Sequence, residues 1–456
     1  MIDNQNDNMN SLVIFPAFEV GYSELLHFLK SMDNKNLLSR LVLICPADFL
    51  SVLNVHRVKV PYYITDDFRS HATLVKKIQS WVKLNGFSFS GIISVDEEEQ
   101  FKLSKRIARH FKLPFHADKT SAAASNKYVL KTAFKKHGVP TGDFTLFSSF
   151  KDADAERIGF PNVLKVLSGN GSQYLFRNET MDQLKDNFNI LKTAARNIQG
   201  DPRFRLQHIM IDDQTITLNP RRQFLLEAFT AGEEFSCDFI SQDGNVQVIR
   251  VVRKIKGPYF GYFKGYHLLN ENDLEKYNID LLRLKGLCER IALALNINTG
   301  VCMVDFKMQE RDWNVLEASI RPGLSAFNHL MYEIYGYTSL FLMAQLQLNL
   351  PIDIRFPQEN GAVVYLYGQP GEKFQAIDAS TLENLKQSFN ILHIHIYESE
   401  VGNGHEAVDS VTDHSALLRG YVILKNIDGE KLPELADLIN DVIIGSPHRG
   451  AWLLEA

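Results

Sequence analysis

Apolar residues in the first part of the chain fall in short runs separated by amphipathic stretches. The run "SLVIFPAFEVG" (11–21) reads as a buried strand, "YSELLHFLKSM" (22–32) as a helix and "RLVLICP" (40–46) as a second strand. A third extended piece lies near "RVKVPYYI" (57–64). A fourth strand, "SGIISV" (90–95), leads into "DEEEQFKLSKRIARHF" (96–111), a helix with acids in its first turn and bases toward its end, as the helix dipole favours. Strands alternating with helices predict a parallel sheet with helices packed on it. This unit ends near "LPFHADKTSAAAS" (113–125).

Beyond residue 121 the pattern changes. The helix "NKYVLKTAFKKHG" (126–138) closes on Gly138 as its C-cap. "FPNVLKVLSGNGSQYLFRN" (160–178) reads as strand, glycine-containing loop and strand. Another strand leads to a turn at Gly232, and two more strands join at Asp243-Gly244, a hairpin signal. The helix "DLLRLKGLCERIALALN" (280–296) precedes two strands about a polar turn in "TGVCMVDFKMQERDWNVLEASIRPG" (299–323), then one helix, "NHLMYEIYGYTSLFLMAQL" (328–346). From about Pro351 the chain reads as mixed short strands and helices, among them "HSALLRGYVILKN" (414–426) and "EKLPELADLINDVI" (430–443).

Length and composition narrow the function classes. At 456 residues the chain exceeds one ordinary core, and 45% hydrophobic with 23% charged residues is globular. A net charge of −5 gives no basic footprint for nucleic acid or an anionic membrane, so small-molecule substrates are expected, with neither nucleic acid nor membrane as partner. The four cysteines, Cys45, Cys237, Cys288 and Cys302, lack zinc spacing and read as reduced core residues. The leader "MIDNQNDNMN" lacks a signal peptide's cationic start and apolar core, and no run reaches a membrane span, which predicts a cytoplasmic protein.

The densest chemistry lies in "NVLEASIRPGLS" (314–325). Residues two apart on a strand share a face, so Glu317 and Ser319 point one way, with Arg321 roughly in line. An odd effective loop length at "QERD" puts Asp305 of the preceding strand opposite Glu317, and two facing carboxylates in a cleft need a cation, a shared proton or a base between them. Oxygen ligands at that separation suit Mg²⁺. An exposed hairpin with its acids in solvent beside Lys307 and Arg321 fits the same pattern. Lys165 precedes "VLSGNGS", whose backbone N–H groups could wrap phosphate oxygens, although an ordinary hairpin tip has the same texture. In "LLEAFTAGEE", Glu227 ends an apolar strand and Glu234 follows past the turn, an extended linker suited to an adenine ring and a ribose.

In order, these segments resemble the ATP-grasp superfamily of carboxylate-amine ligases over nearly the whole chain. Lys127 in "NKYVLKTAFKKHGVP" stands for the family's first lysine, Lys165 for its second, and Glu227, Gly232 and Glu234 for its hinge "E-x-x-x-x-G-x-E". Asp305, Glu317 and Arg321 stand for its acid and "E-x-N-x-R". The resemblance implies an α/β (α+β) ATP-grasp fold. Its parts would be an N-terminal parallel-sheet α/β domain (1–120), an ATP-grasp domain (121–350) with a mobile lid subdomain (about 140–230), and a C-terminal mixed α+β subdomain (351–456).

It further implies that Lys127 and Lys165 hold ATP phosphates under the loop Ser168, Gly169, Gly171 and Ser172. Glu227, Ala228 and Phe229 would form the adenine hinge, with Glu234 on the ribose. Asp305 and Glu317 would carry Mg²⁺ (or Mn²⁺), and Arg321 would stabilise an acyl phosphate and its tetrahedral adduct. The length and C-terminal texture look most like the L-amino-acid ligases, which join the carboxylate of one amino acid to the amine of another; the superfamily's bicarbonate-using carboxylases and a nucleotide-binding protein without turnover are the alternatives. In "YFGYFKGYHLL", Lys264 would reach phosphate and His267 the acceptor amino acid. His329 reads as a packing residue. Ser319 departs from the family's asparagine metal ligand and, as a shorter hydroxyl, would ligate weakly or through water. The family's habits admit a homodimer.

Overall fold

The computed structural model describes residues 11–17, 21–95, 99–169, 174–198, 200–211, 214–257, 260–324, 326–368, 379–396 and 418–444, and every structural statement below concerns these.

The first unit is a four-stranded parallel sheet in which Ser11–Pro16 is flanked by Leu41–Cys45 and Ser88–Ile92, with Tyr62–Thr65 outside. Its two central strands are near-continuous apolar runs because both faces are covered: Val13, Phe15, Leu41 and Leu43 pack against the helix Tyr22–Asn34, while Leu12, Ile14, Val42 and Ile44 face the helices His71–Asn85 and Glu99–Phe111. The chain then makes a small antiparallel sheet, ordered Phe144–Phe147, Phe224–Ala228, Asn162–Lys165, Leu175–Asn178. The helix Met181–Asn197 seals one face with Leu184, Phe188 and Leu191. Neither this helix nor the hairpin of Gln207–Ile211 with Gln214–Leu218 is among the elements expected above.

The third sheet has eight strands and organises the molecule. Asp312–Ser319 lies at one edge, followed by Gly300–Gln309, Glu233–Gln242, Asn245–Lys256, Phe263–Leu268, Gly361–Tyr367, Leu418–Lys425 and Ile391–Ile396. The strands beyond residue 351 therefore extend the same sheet that carries residues 233–319. No helix among the described residues is long and apolar enough to cross a membrane, and the four cysteines are buried and unbridged.

One expected element divides in two. The stretch 328–346 forms two helices, Phe327–Tyr335 and Ser339–Gln347, because Gly336 takes a left-handed conformation (φ 73°) that ends the first, and Thr338 caps the second by accepting from the Phe341 N–H.

Candidate active site

A cavity of about 940 Å³ opens between the small antiparallel sheet and one face of the eight-stranded sheet. The lysine at its upper edge is aimed by its own helix start. Asn126 caps the helix Lys127–Lys136 by accepting from the N–H groups of Tyr128 and Val129, and the Lys127 N–H donates to Leu167 O at 2.7 Å. The Lys127 ammonium then donates to Gly169 O (2.6 Å) and lies 3.4 Å from Glu317. Gly169 has φ 130°, a conformation suited to glycine. Ser168 is buried and accepts from the Gln207 amide at 3.1 Å, while Gly171 and Ser172 lie outside the described residues.

Lys165 and Glu227 are diagonal neighbours on adjacent antiparallel strands, and the ammonium reaches the carboxylate at 2.8 Å. Lys131, one turn along the helix from Lys127, meets the same carboxylate oxygen at 3.2 Å with only 1% of its surface exposed. Burial alone would raise the Glu227 carboxyl. Lys131 and Lys165 outweigh it and hold the group down at about 2.

Across the eight-stranded sheet, one face carries a row of charge. Asp305 is registered against Glu317 on one side and Ser236 on the other, which is the facing carboxylate pair expected from the sequence. Lys254 lies 2.7 Å from Asp305 and 3.1 Å from Glu234. Burial would lower this lysine, but Asp305 and Glu234 raise it well above its ordinary value. Asp305 is itself raised by burial and by the Glu234 and Glu317 charges, against Lys254, whereas Glu317 is held low against burial by Lys127 and Lys165. Asp305 Oδ1 and Glu227 Oε1 are buried without a hydrogen-bond partner. A buried carboxylate oxygen in that condition, opposite a second carboxylate, is chemically matched to a hard cation with oxygen ligands, so the donor set fits Mg²⁺.

The hinge differs in detail from the expectation. Ala228 and Phe229 line the cavity, but their N–H groups already donate to Asp143 O (2.8 Å) and Pro161 O (3.1 Å). The Phe229 ring carries Arg177 at 4.2 Å and Lys307 at 4.6 Å. Gly232 has φ 105°, and a Cβ there would stand 2.2 Å from Met308 O, so the turn before Glu234 lies flat on the neighbouring strand.

Five expected site residues among the described ones lie outside the cavity-lining set, Ser168 and four more. Ser319 is buried and registered against Met303, where the strand ends. Arg321 is half-buried and donates to Pro322 O at 3.1 Å. The turn that follows is fixed from below: Gly323 N–H donates to Asp238, which also holds the fully buried Arg250 at 2.8 and 2.9 Å. Lys264 and His267, expected over the substrate, occupy the other face of the sheet. A register shift opposite Ile255 and Lys256 puts Phe263 at the cavity, while Lys264 pairs with Asp437 and His267 is enclosed 3.6 Å from Asp273, lowered by burial to about 4. Lys131, Arg177, Lys254 and Lys307, which sequence reasoning did not assign, do face the constellation. Their signal was present: Lys131 is four residues from Lys127 on one helix, and Lys254 interrupts the apolar run "IRVVRKI".

No family model matches the chain. It is 24% identical over 217 residues to the L-arginine-specific L-amino acid ligase of Bacillus subtilis, a match spanning 46% of this chain and 46% of that relative, which is less than half of either. The L-amino acid ligase structure from Bacillus licheniformis superimposes with a TM-score of 0.67 at 17% identity, covering 95% of this chain and 97% of its own. Carboxyaminoimidazole ribonucleotide synthase from Aspergillus clavatus, solved with ATP, superimposes with a TM-score of 0.63 at 13% identity, covering 96% and 99%. An architecture shared along nearly the full length of both structures shows that this chain has the fold of these two enzymes.

Proposed function

We propose that the chain is an ATP-dependent ligase that activates the carboxylate of one amino acid as an acyl phosphate and joins it to the amine of another. The observation that carries this reading is the gathering of Lys127, Lys165, Glu227, Glu234, Asp305 and Glu317, from six separate elements, around one cavity. A carboxylate is a poor acyl donor because oxide would have to leave. Its oxygen attacks the γ-phosphorus of ATP and ADP departs; the amine then attacks the acyl carbon, phosphate departs and the amine gives up a proton.

Each residue has a part in that sequence. Lys127 and Lys165 exchange their carboxylate partners for phosphate oxygens and neutralise the spreading charge. Glu234 accepts from the ribose hydroxyls. With the Ala228 and Phe229 N–H groups engaged, the adenine donor comes from Thr230 or Ala231, which line the same wall. Asp305 and Glu317 would hold Mg²⁺, which would offset the charge of the phosphate groups. Arg321 turns from Pro322 O toward the acyl phosphate, and Ser168 and Gly169 help cover the phosphates.

Purified protein with Mg²⁺-ATP, screened against pairs of amino acids, is expected to release phosphate only with particular pairs and to form the matching dipeptide. The carboxyaminoimidazole ribonucleotide synthase likeness motivates one competing reading, a carboxylase. Phosphate release that requires bicarbonate and ignores amino acids would replace the ligase reading with that one.

A further inference from the structure

Apart from the nucleotide cleft, the fold gathers histidines from elements distant in sequence. His27 on the helix Tyr22–Asn34 and His329 on the helix Phe327–Tyr335 stack with ring centroids 3.8 Å apart and planes 17° apart. His393 on the strand Ile391–Ile396 meets His329 edge-on at 4.5 Å. Glu333, one turn beyond His329, brings Oε1 within 3.5 Å of His329 Nε2. One ligand atom from each of His27, His329 and Glu333 lies within 4.8 Å of the other two, and among the described residues no other trio of His, Cys, Asp and Glu side chains does this. None of the three lines the cleft.

The hydrogen bonds behind the rings set their tautomers. His27 Nδ1–H donates to Ser23 O at 2.7 Å, which leaves Nε2 as the lone-pair nitrogen. His329 Nδ1 lies 3.0 Å from the Tyr421 hydroxyl, which is 2.6 Å from Ser23 Oγ. A relay in which Nδ1–H donates to Tyr421, and Tyr421 to Ser23, leaves His329 Nε2 as the lone-pair nitrogen beside Glu333. Metal-binding histidines are oriented by such second partners. Burial also keeps both imidazoles neutral, lowering His27 to about 4 and, with repulsion from its neighbours, His329 to about 2.

We infer that His27 Nε2, His329 Nε2 and the Glu333 carboxylate form an inter-helix site for a late first-row divalent cation, Zn²⁺ foremost. Two imidazoles and one carboxylate suit such an ion better than Mg²⁺, which prefers oxygen alone. Ligand atoms about 2.0 to 2.1 Å from a tetrahedral Zn²⁺ lie roughly 3.3 Å apart, so uptake draws the trio together and turns one imidazole out of its stack. Lys30, close enough to depress both histidines, opposes the cation electrostatically and limits its affinity. The bound ion would clamp the first unit's helix to the helix that follows Arg321.

The test uses the full chain, stripped with chelator and dialysed against Zn²⁺ with excess Mg²⁺ to occupy the oxygen ligands of the cleft. Metal analysis is expected to find about one Zn²⁺ per chain, and Co²⁺ in its place to show the visible absorption of a four-coordinate nitrogen and oxygen site. His27→Gln and Glu333→Gln, checked as folded by thermal melts, are expected to weaken uptake roughly tenfold or more, while Glu317→Ala in the cleft keeps it. Substoichiometric Zn²⁺ in the wild type, or uptake unchanged by both His27→Gln and Glu333→Gln, would overturn the assignment. Failure of the phosphate-release screen would leave these outcomes untouched.

Discussion

Glu227 balances two buried ammonium groups, those of Lys131 and Lys165. Its folded value of about 2 lies below the ordinary 4.5, a difference worth about 3 kcal/mol in the ionised state. Since the folded value is the lower one, that stability is present above about pH 4.5 and is lost as pH falls toward 2. Glu227→Gln, which leaves Lys131 buried beside a neutral partner, is expected to cost roughly 3 kcal/mol at pH 6. Urea unfolding should show the gap between variant and wild type narrowing on acidification; a gap independent of pH would mean that the ion pairs are not its source.

Glu317 poses the complementary case, with a side chain 38% exposed. Glu317→Ala removes no core volume, so the variant should keep its melting temperature within a few degrees and lose phosphate release by about a hundredfold or more. Full activity in a stopped-time phosphate assay would end the metal assignment. The facing of Asp305 and Glu317 was only partly legible: the turn between Gln309 and Asp312 alone would put Leu316 opposite Asp305, and a bulge between Asp305 and Phe306 brings Glu317 there instead. The place of Lys264 was not legible, because a register shift between Ile255 and Lys256 exchanges its face, and His267 lies one residue beyond Tyr266, which pairs with Lys254, and so faces away from it.

At the scale of elements, turns decide where the charged row meets the cleft. Gly232 combines φ 105° with a Cβ position 2.2 Å from a backbone oxygen that cannot move aside. Gly232→Ala is expected to cost about 2 kcal/mol or more and to weaken ATP binding, since the displaced turn carries Glu234 with it. Calorimetric titration with ATP and a thermal melt measure the two effects. Gly323 is constrained differently: a Cβ there would stand 2.1 Å from Arg250 Nη2, which Asp238 holds fast. The helix end at Gly138, one residue past the C-cap His137, and the hairpin turn at Asp243-Gly244 could be read ahead of the structure because their residues favour positive φ, and both glycines adopt it. The split at Gly336 escaped notice because the apolar pattern continues on both sides of it, and only the backbone conformation separates the helices.

For the whole molecule, nucleotide binding should couple the small sheet to the large one, since Lys165 and Glu227 stand on the first and Asp305 and Glu317 on the second. Mg²⁺-ATP at a hundred times its dissociation constant is expected to stabilise the chain by about 2.7 kcal/mol, read as a rise in melting temperature. No rise at saturating ATP would argue against a cleft shared between the sheets. Strand and helix alternation was enough to foresee the parallel sheet of the first unit. Continuity of the strands after residue 351 with those before 319 was beyond it, because pairing across such separations depends on tertiary contacts rather than local pattern.

That continuity bears on how the protein can be handled. The strand Asp312–Ser319 is an outer strand, yet its Val315 N–H donates to Pro140 O and its Val315 O receives Lys131 and Thr141. The strand Phe263–Leu268 has no such cover; it is paired instead by Gly361–Tyr367. A chain cut before residue 361 would present that row of backbone groups to any passing copy of itself. Such a fragment should aggregate rather than yield a smaller nucleotide-binding core.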